Sequence, residues 1–141
     1  MNTNDARLVR VYTEEANAAA SAHVGSSAPN ATLPPASTFN VVVEGDCGAN
    51  QCGTLAPYTL TLVLYDITTA SNVGAPSPFS QAFGDANWAH VNGASSDCEM
   101  RFVTSQNVAG LQNHVLKYTA YLRDTSANIV SFVESEPFIL V

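Results

Sequence analysis

Positive charge is scarce in this sequence. Arg7, Arg10, Arg101, Lys117 and Arg123 are the only basic lysine or arginine side chains in 141 residues, against twelve acidic ones. The net charge is −7 and the sequence pI is about 4.6. A nucleic-acid-binding surface works by displacing counterions with clustered cations. Five scattered cations do not build one, and the same argument excludes electrostatic docking on an anionic membrane. Charge of either sign is sparse too, at 12% of residues, roughly half the usual 25%. Ser, Thr, Asn and Gln must therefore supply most of the polar surface. With 46% hydrophobic residues the chain is not a disordered one. This composition favours an extracellular setting or the surface of a particle.

Long apolar runs are also missing. None approaches the roughly 20 residues that span a bilayer, so membrane insertion is not expected. Met1 to Arg10 lacks the apolar stretch of a signal peptide. Either the protein is not exported by that route or the numbering begins after a removed signal.

Catalytic signatures are absent. The sequence has no Gly-x-Ser-x-Gly elbow, no His-Glu-x-x-His zinc helix and no phosphate-cradling glycine loop. His23, His90 and His114 are widely separated, and a catalytic imidazole needs a placed partner. Asp46, Asp66, Asp85, Asp97 and Asp124 fall near strand ends. Aspartate is common there because it bonds its own turn backbone, and no Asp-x-Asp-x-Asp run supports a calcium loop. The expectation is no catalytic residue, no metal site and no cofactor.

Cysteine is rare, with three copies. Cys47 and Cys52 flank a glycine-rich stretch, while Cys98 is distant and alternates with Met100 and Phe102. One short pair without a partner pair does not read as zinc. The spacing predicts a small Cys47–Cys52 disulfide loop worth about 2 kcal/mol, the alternative being two free thiols in a reducing compartment. Cys98 is expected as a buried thiol.

What the sequence has in quantity is period-two alternation, the mark of half-buried strands. Strands are predicted over Leu8–Tyr12, Thr38–Glu44, Pro57–Asp66, Phe79–Phe83, Trp88–Val91, Asp97–Val103, His114–Arg123, Ile129–Glu134 and Phe138–Val141. In the second, Phe39, Val41 and Val43 share a face. In the third, Tyr58, Leu60, Leu62 and Leu64 do. In the long penultimate strand, Leu116, Tyr118, Ala120 and Leu122 face in, and Lys117, Thr119 and Arg123 face out. Pro137 bends or splits the closing strand, because it lacks a ladder donor. Residues 13–37 read as an arm or linker between the first two strands. It holds Pro29, Pro34 and Pro35, and its start is either a short alanine-rich helix capped by Thr13 or a mobile segment. Asn30-Ala31-Thr32 matches a glycosylation sequon, which matters only in an exporting eukaryote. One domain, 1–141, with seven or eight short strands implies an all-β, two-sheet antiparallel sandwich.

The last strands resemble the closing pair of immunoglobulin-like and fibronectin type III-like domains. The residues that carry this are Tyr118, the hairpin Asp124–Asn128, and Ser135-Glu136-Pro137-Phe138. The resemblance implies an immunoglobulin-like sandwich in which the Tyr118 hydroxyl bonds back to nearby backbone as a tyrosine corner. It covers about the last 30 residues and carries no function of its own. Antibody-type domains join the second and sixth strands by a disulfide over a buried tryptophan. The sixth strand here has no cysteine, and Trp88 is not on the third.

Two functions fit. The first is a non-catalytic recognition or adhesion module that binds a protein or glycan through loops or an edge strand. Trp88, Asn87 and His90 are its candidate platform, since tryptophan is enriched at binding hot spots; the competing reading puts Trp88 in the core. The second is a structural subunit of a shell, pilus, tail or coat, in which the arm reaches a neighbour or donates a strand and the chain forms a homo-oligomer.

Overall fold

The computed structural model describes residues 4–15, 32–33 and 39–140. Among these residues eleven strands and one short helix follow in chain order. They are β1 (Ala6–Glu15), β2 (Thr32–Leu33), β3 (Phe39–Cys47), α1 (Ala49–Gly53), β4 (Pro57–Asp66), β5 (Ser71–Asn72), β6 (Ser77–Ala82), β7 (Trp88–His90), β8 (Cys98–Gln106), β9 (Val115–Arg123), β10 (Ile129–Glu134) and β11 (Phe138–Leu140). They form two packed sheets, an all-β sandwich. One sheet runs β1-β3-β8-β7. The other runs β2-β11-β9-β4-β5, with β10 also on β9 and β6 also on β4. All pairings between these strands are antiparallel except β2 with β11.

The extra strands have simple origins. β2 and β5 are two residues long. β10 and β11 are one closing strand interrupted at Ser135-Glu136-Pro137, the break expected of the proline. The strand expected over 57–66 has the observed bounds of β4. The first strand runs further than its alternation suggested: Thr13, Glu14 and Glu15 pair with Val41, Asn40 and Phe39. No helix therefore opens at Thr13, because sheet pairing outcompetes a segment with only alanines to bury. Thr32 and Leu33, also within the expected arm, form β2 on β11; the remainder of the arm, the sequon's Asn30 and His23 lie outside the described residues.

The core sits between the sheets. Phe39, Val41, Val43, Met100 and Phe102 from the first meet Leu60, Leu62, Leu116, Tyr118, Leu122 and Phe138 from the second. Fully burying each large side chain stabilises by roughly 1.5–3 kcal/mol before entropy is counted. A bulge between Leu8 and Arg10 keeps Leu8 and Val11 in this core while Val9 stays exposed. An extra residue is what lets two positions three apart share one face of a strand.

At one end, α1 fills the turn from β3 to β4. Leu55 ends it with φ at +54°, and the Thr54 hydroxyl donates to the Gln51 carbonyl at 2.7 Å. Gly84 packs against it with φ at +76°, and a β-carbon there would collide with the Cys52 carbonyl oxygen. Glycine is thus required twice over at this turn, for its backbone and for its contact.

Candidate functional site

The expected cysteine pairing is wrong. Cys52 is bonded to Cys98, with Cα atoms 6.1 Å apart, and Cys47 is the free thiol. The physical reason lies in the sheet. Cys47 pairs with Cys98 across β3 and β8, and α1 carries Cys52 back over this end. Burial, with Asp46 and Asp97 adding to it, pushes the Cys47 thiol up to about 12. His90 Nδ1 lies 3.3 Å from Cys98 Sγ. Cys52, His90 and Cys98 are grouped closely enough to suggest a metal site, but two sulfurs bonded to each other offer no thiolates to a cation.

Trp88, Asn87 and His90 do not form an exposed platform. Trp88 is only 8% exposed. Its indole N–H donates to the Tyr58 hydroxyl at 3.2 Å, and its ring packs on Phe83 and Tyr58. Facing Met100 across the ladder, it fills the end of the core. The Asn87 amide donates to Gln81. His90 is exposed, with Nδ1 2.9 Å from the Ser96 carbonyl oxygen.

On the outer face of the first sheet, register aligns Arg10, Glu44 and Arg101 on β1, β3 and β8. Arg10 donates twice to the Glu44 carboxylate, at 2.7 and 3.2 Å. The Tyr12 hydroxyl donates to it at 2.9 Å and accepts from Arg101 at 2.9 Å. Arg101 also donates to Glu14 at 2.8 Å. Glu44 is 0% exposed and Arg101 5%, so no substrate reaches them. Among the described residues, Glu14 Oε2 and Arg101 Nε have no partner. This is a structural network that the burial makes demanding to satisfy.

A second pair ties β4 to the start of β9. His114 Nδ1 lies 2.6 Å from Asp66 Oδ2, and the Thr69 N–H donates to Asp66 Oδ1. Burial alone would push the Asp66 carboxyl up. The hydrogen bonds from His114 and Thr69 outweigh it and hold the carboxyl below its ordinary value.

The outer face of the second sheet is different in kind. Cross-strand register stacks Thr61, Tyr121 and Phe132 in one row, with Tyr65 beside Lys117 and Thr59 beside Arg123 in others. Phe132 is 61% exposed and stacks on Tyr121 with ring centroids 6.1 Å apart. The Lys117 ammonium lies 5.5 Å from the centre of the Tyr65 ring, and the Arg123 guanidinium 5.6 Å from that of Tyr121. Lys117 pairs with Glu134 at 3.3 Å. Tyr65, Lys117, Tyr121, Arg123 and Glu134, together with Val63, line a shallow groove of about 450 Å³.

Part of this was readable in advance. The outward rule that placed Lys117, Thr119 and Arg123 also places Tyr121 between them. Phe132 lies opposite it because a register shift between Ile129 and Ser131 moves the strand on by one residue after the Asp124–Asn128 turn, where Asp124 accepts from the Ser126 and Asn128 N–H groups. The sequence signal was five aromatic or cationic side chains on two facing strands and their neighbour.

No protein-family model matches the chain, and no curated protein is similar to it in sequence. The geometry is therefore the only guide to function.

Proposed function

We propose that this chain is a non-catalytic recognition module of immunoglobulin-like arrangement. It binds a protein partner through the outer face of β4, β9 and β10. One observation carries the reading: Tyr65, Tyr121, Phe132, Lys117 and Arg123 share an accessible face, in a protein that otherwise has little positive charge to offer. Aromatic and arginine side chains supply most of the energy at protein interfaces. Two cations on a chain of net charge −7 favour a partner with acidic groups at that position.

The strand order supports the immunoglobulin-like part. The first, second, fifth and fourth strands of such domains form one sheet and the third, sixth and seventh the other. β1-β3-β8-β7 facing β4, β9 and β10/β11 follows that order. The disulfide from α1 to β8 departs from the antibody-type bridge.

The test is a binding screen on protein and glycan arrays with the wild type and with the double variant Phe132→Ser, Arg123→Glu. A protein ligand held by the wild type and lost by the double variant is the expected result. Equal binding by both would move the site elsewhere, and a glycan ligand lost by the variant would keep the face but change its partner class. Light scattering over a concentration series, run in parallel, reads the other possibility. A large, stable assembly that this variant dissociates would make the chain a structural subunit.

A further inference from the structure

An unpaired sheet edge offers a row of N–H and C=O groups to any extended chain, and this domain closes its edges unequally. β1 is closed on its outer side. The Leu8 N–H donates to Ser131 Oγ of β10 at 2.9 Å, and the strand carries a bulge between Leu8 and Arg10 and two arginines. β6 carries Pro78, and β5 is two residues long. β7 covers only the start of β8, pairing with Cys98, Glu99 and Met100, and the Asn87 carbonyl takes the Arg101 N–H just beyond. Among the described residues nothing pairs with that side of Val103, Thr104 and Ser105.

Alternation tells which groups are free. The Arg101 N–H points to the β7 side, so its pair with Glu44 on β3 is of the non-hydrogen-bonded kind. Such pairs recur at every second residue of an antiparallel ladder, and the β3–β8 register runs without a shift from Cys98 to Gln106. Val103 and Ser105 therefore also turn their N–H and C=O groups away from β3, while those of Thr104 point to it. None of the usual devices blunts this stretch: it has no charge, no proline and no bulge. Val103 is 39% exposed. The family likeness gives no guide here, since even its expected tyrosine corner is missing: the Tyr118 hydroxyl has no partner among the described residues. Charge does give one. Residues 67–84 and 102–113 contain no Asp, Glu, Lys or Arg. They include this edge and β6, which flanks it where Phe79 packs on Phe102. On a chain of net charge −7, two copies can meet at this side without like charges facing each other.

We propose that the Val103–Ser105 edge pairs antiparallel with the same edge of a second copy of this chain, about a two-fold axis at Thr104. In that register Val103 lies opposite the second copy's Ser105, and Ser105 opposite its Val103. Each is a hydrogen-bonded pair that exchanges two bonds, so four backbone bonds form and use every free group of the two residues. An isologous contact needs the same patch on both copies, and the slot limits both alike, because the Asn87 carbonyl closes it at Arg101. A longer strand donated by another protein would run into that obstruction. The first sheets of the two copies become one continuous sheet, and the outer faces of β4, β9 and β10, which belong to the other sheet, stay open. The dimer therefore stands or falls independently of the partner-binding reading. A contact this short belongs with small, transient interfaces, and half-association is expected at roughly 0.1 mM chain.

Sedimentation equilibrium over a concentration series tests it. The wild-type mass is expected to rise from the 14.8 kDa of one chain toward twice that value. Amide hydrogen exchange at Val103 and Ser105 should slow as concentration rises, and exchange at Thr104 should not. Val103→Lys puts a cation on each side of the axis and should weaken the dimer roughly tenfold or more. Thr125→Lys, the same charge change in the exposed turn between β9 and β10, should leave it unchanged. Thr104→Cys reads the axis itself and does not depend on the lysine variant folding. Opposite residues of a non-hydrogen-bonded pair have Cα atoms about 4.5 Å apart, within reach of a disulfide, so mild oxidation should yield a covalent dimer; Thr125→Cys should not. The Phe132→Ser, Arg123→Glu variant should dimerise like the wild type, which keeps the failure of this proposal distinct from that of the partner-binding reading. A wild type still monomeric at about 1 mM would overturn the dimer and leave the edge to an extended segment of another protein. A dimer that Val103→Lys leaves intact, or that Thr104→Cys does not cross-link, would overturn it too.

Discussion

On the outer face of the first sheet, Glu44 is fully buried between Arg10, Tyr12 and Arg101. On the outer face of the second, Phe132 is mostly exposed, and lysine and arginine lie by tyrosine rings. Both faces are built by the same rule, in which every second residue of a strand points away from the core. They differ in what happens to charge. The first face pairs its charges with one another under cover, where they specify geometry. The second leaves its cations next to aromatic rings, with Lys117 paired only to the exposed Glu134, where a partner can meet them. A buried ionic network is weak evidence of net stabilisation, yet breaking one is expensive. An exposed aromatic row contributes little to folding and much to recognition. The difference separates a face that holds the domain together from a face that is available.

The largest expected effect tests the covered face. Arg101→Met keeps the length of the side chain and removes its charge, stranding the Glu14 carboxylate. A loss of about 3–5 kcal/mol is expected in urea denaturation. A change under about 1 kcal/mol would mean that water reaches the network, and the contrast between the faces would collapse.

Next is the staple beside that sheet. Cys52→Ser opens a bridge between residues 46 apart in sequence, and chain-entropy arguments put its contribution at about 4 kcal/mol or less. Iodoacetamide without reductant should label no cysteine in the folded protein. It should label one after unfolding, and peptide mapping should place the label at Cys47. Labelling at Cys98 would restore the pairing that local spacing suggested.

Asp66 has a smaller effect with a definite sign. Its carboxyl is held below its ordinary value of 3.8 in the folded protein. The stabilisation is therefore complete above that value and is lost as pH falls through the lower, folded-state value. Asp66→Asn should cost stability at pH 6, and the gap to wild type should close on acidification toward pH 2.5. A gap that widens in acid would reverse the assignment.

The smallest expected stability effect belongs to the available face. Tyr121→Ala or Phe132→Ser should change stability by no more than about 1 kcal/mol, while weakening a bound protein partner tenfold or more. A large loss of stability would show that this row is structural too.

The sheets were legible because alternation is a local signal. Tyr58, Leu60, Leu62 and Leu64 mark an inward face whatever surrounds them, and the Pro137 break follows from a missing N–H. The network was not legible. Glu14, Glu44 and Arg101 sit at outward positions, which read as solvated until tertiary structure covers them. The disulfide was not legible either, since four intervening residues look like a loop while the true partner is distant in sequence. Parity did not decide between the platform and core readings of Trp88, because a lone tryptophan carries no parity of its own; its inward direction comes from facing Met100 on β8. The aromatic row lay between these cases. Parity pointed Tyr121 outward, but its stacking on Phe132 is a product of hairpin register.

Three cysteines at this end of the sandwich permit three possible bridges, and two of them need less of the finished fold. Cys47 reaches Cys52 through a short turn, and it neighbours Cys98 as soon as β3 and β8 align. The native bridge requires α1 to be seated against Gly84 as well. An oxidant that acts early therefore has two wrong answers within reach, and one that acts late has the right one. Once the domain closes, the buried Cys47 thiol is kept protonated and withdrawn from exchange. The order of events during maturation, rather than the relative stability of the bridges, would then decide the yield of correctly joined protein. Slow oxidation after refolding should outperform fast oxidation during it.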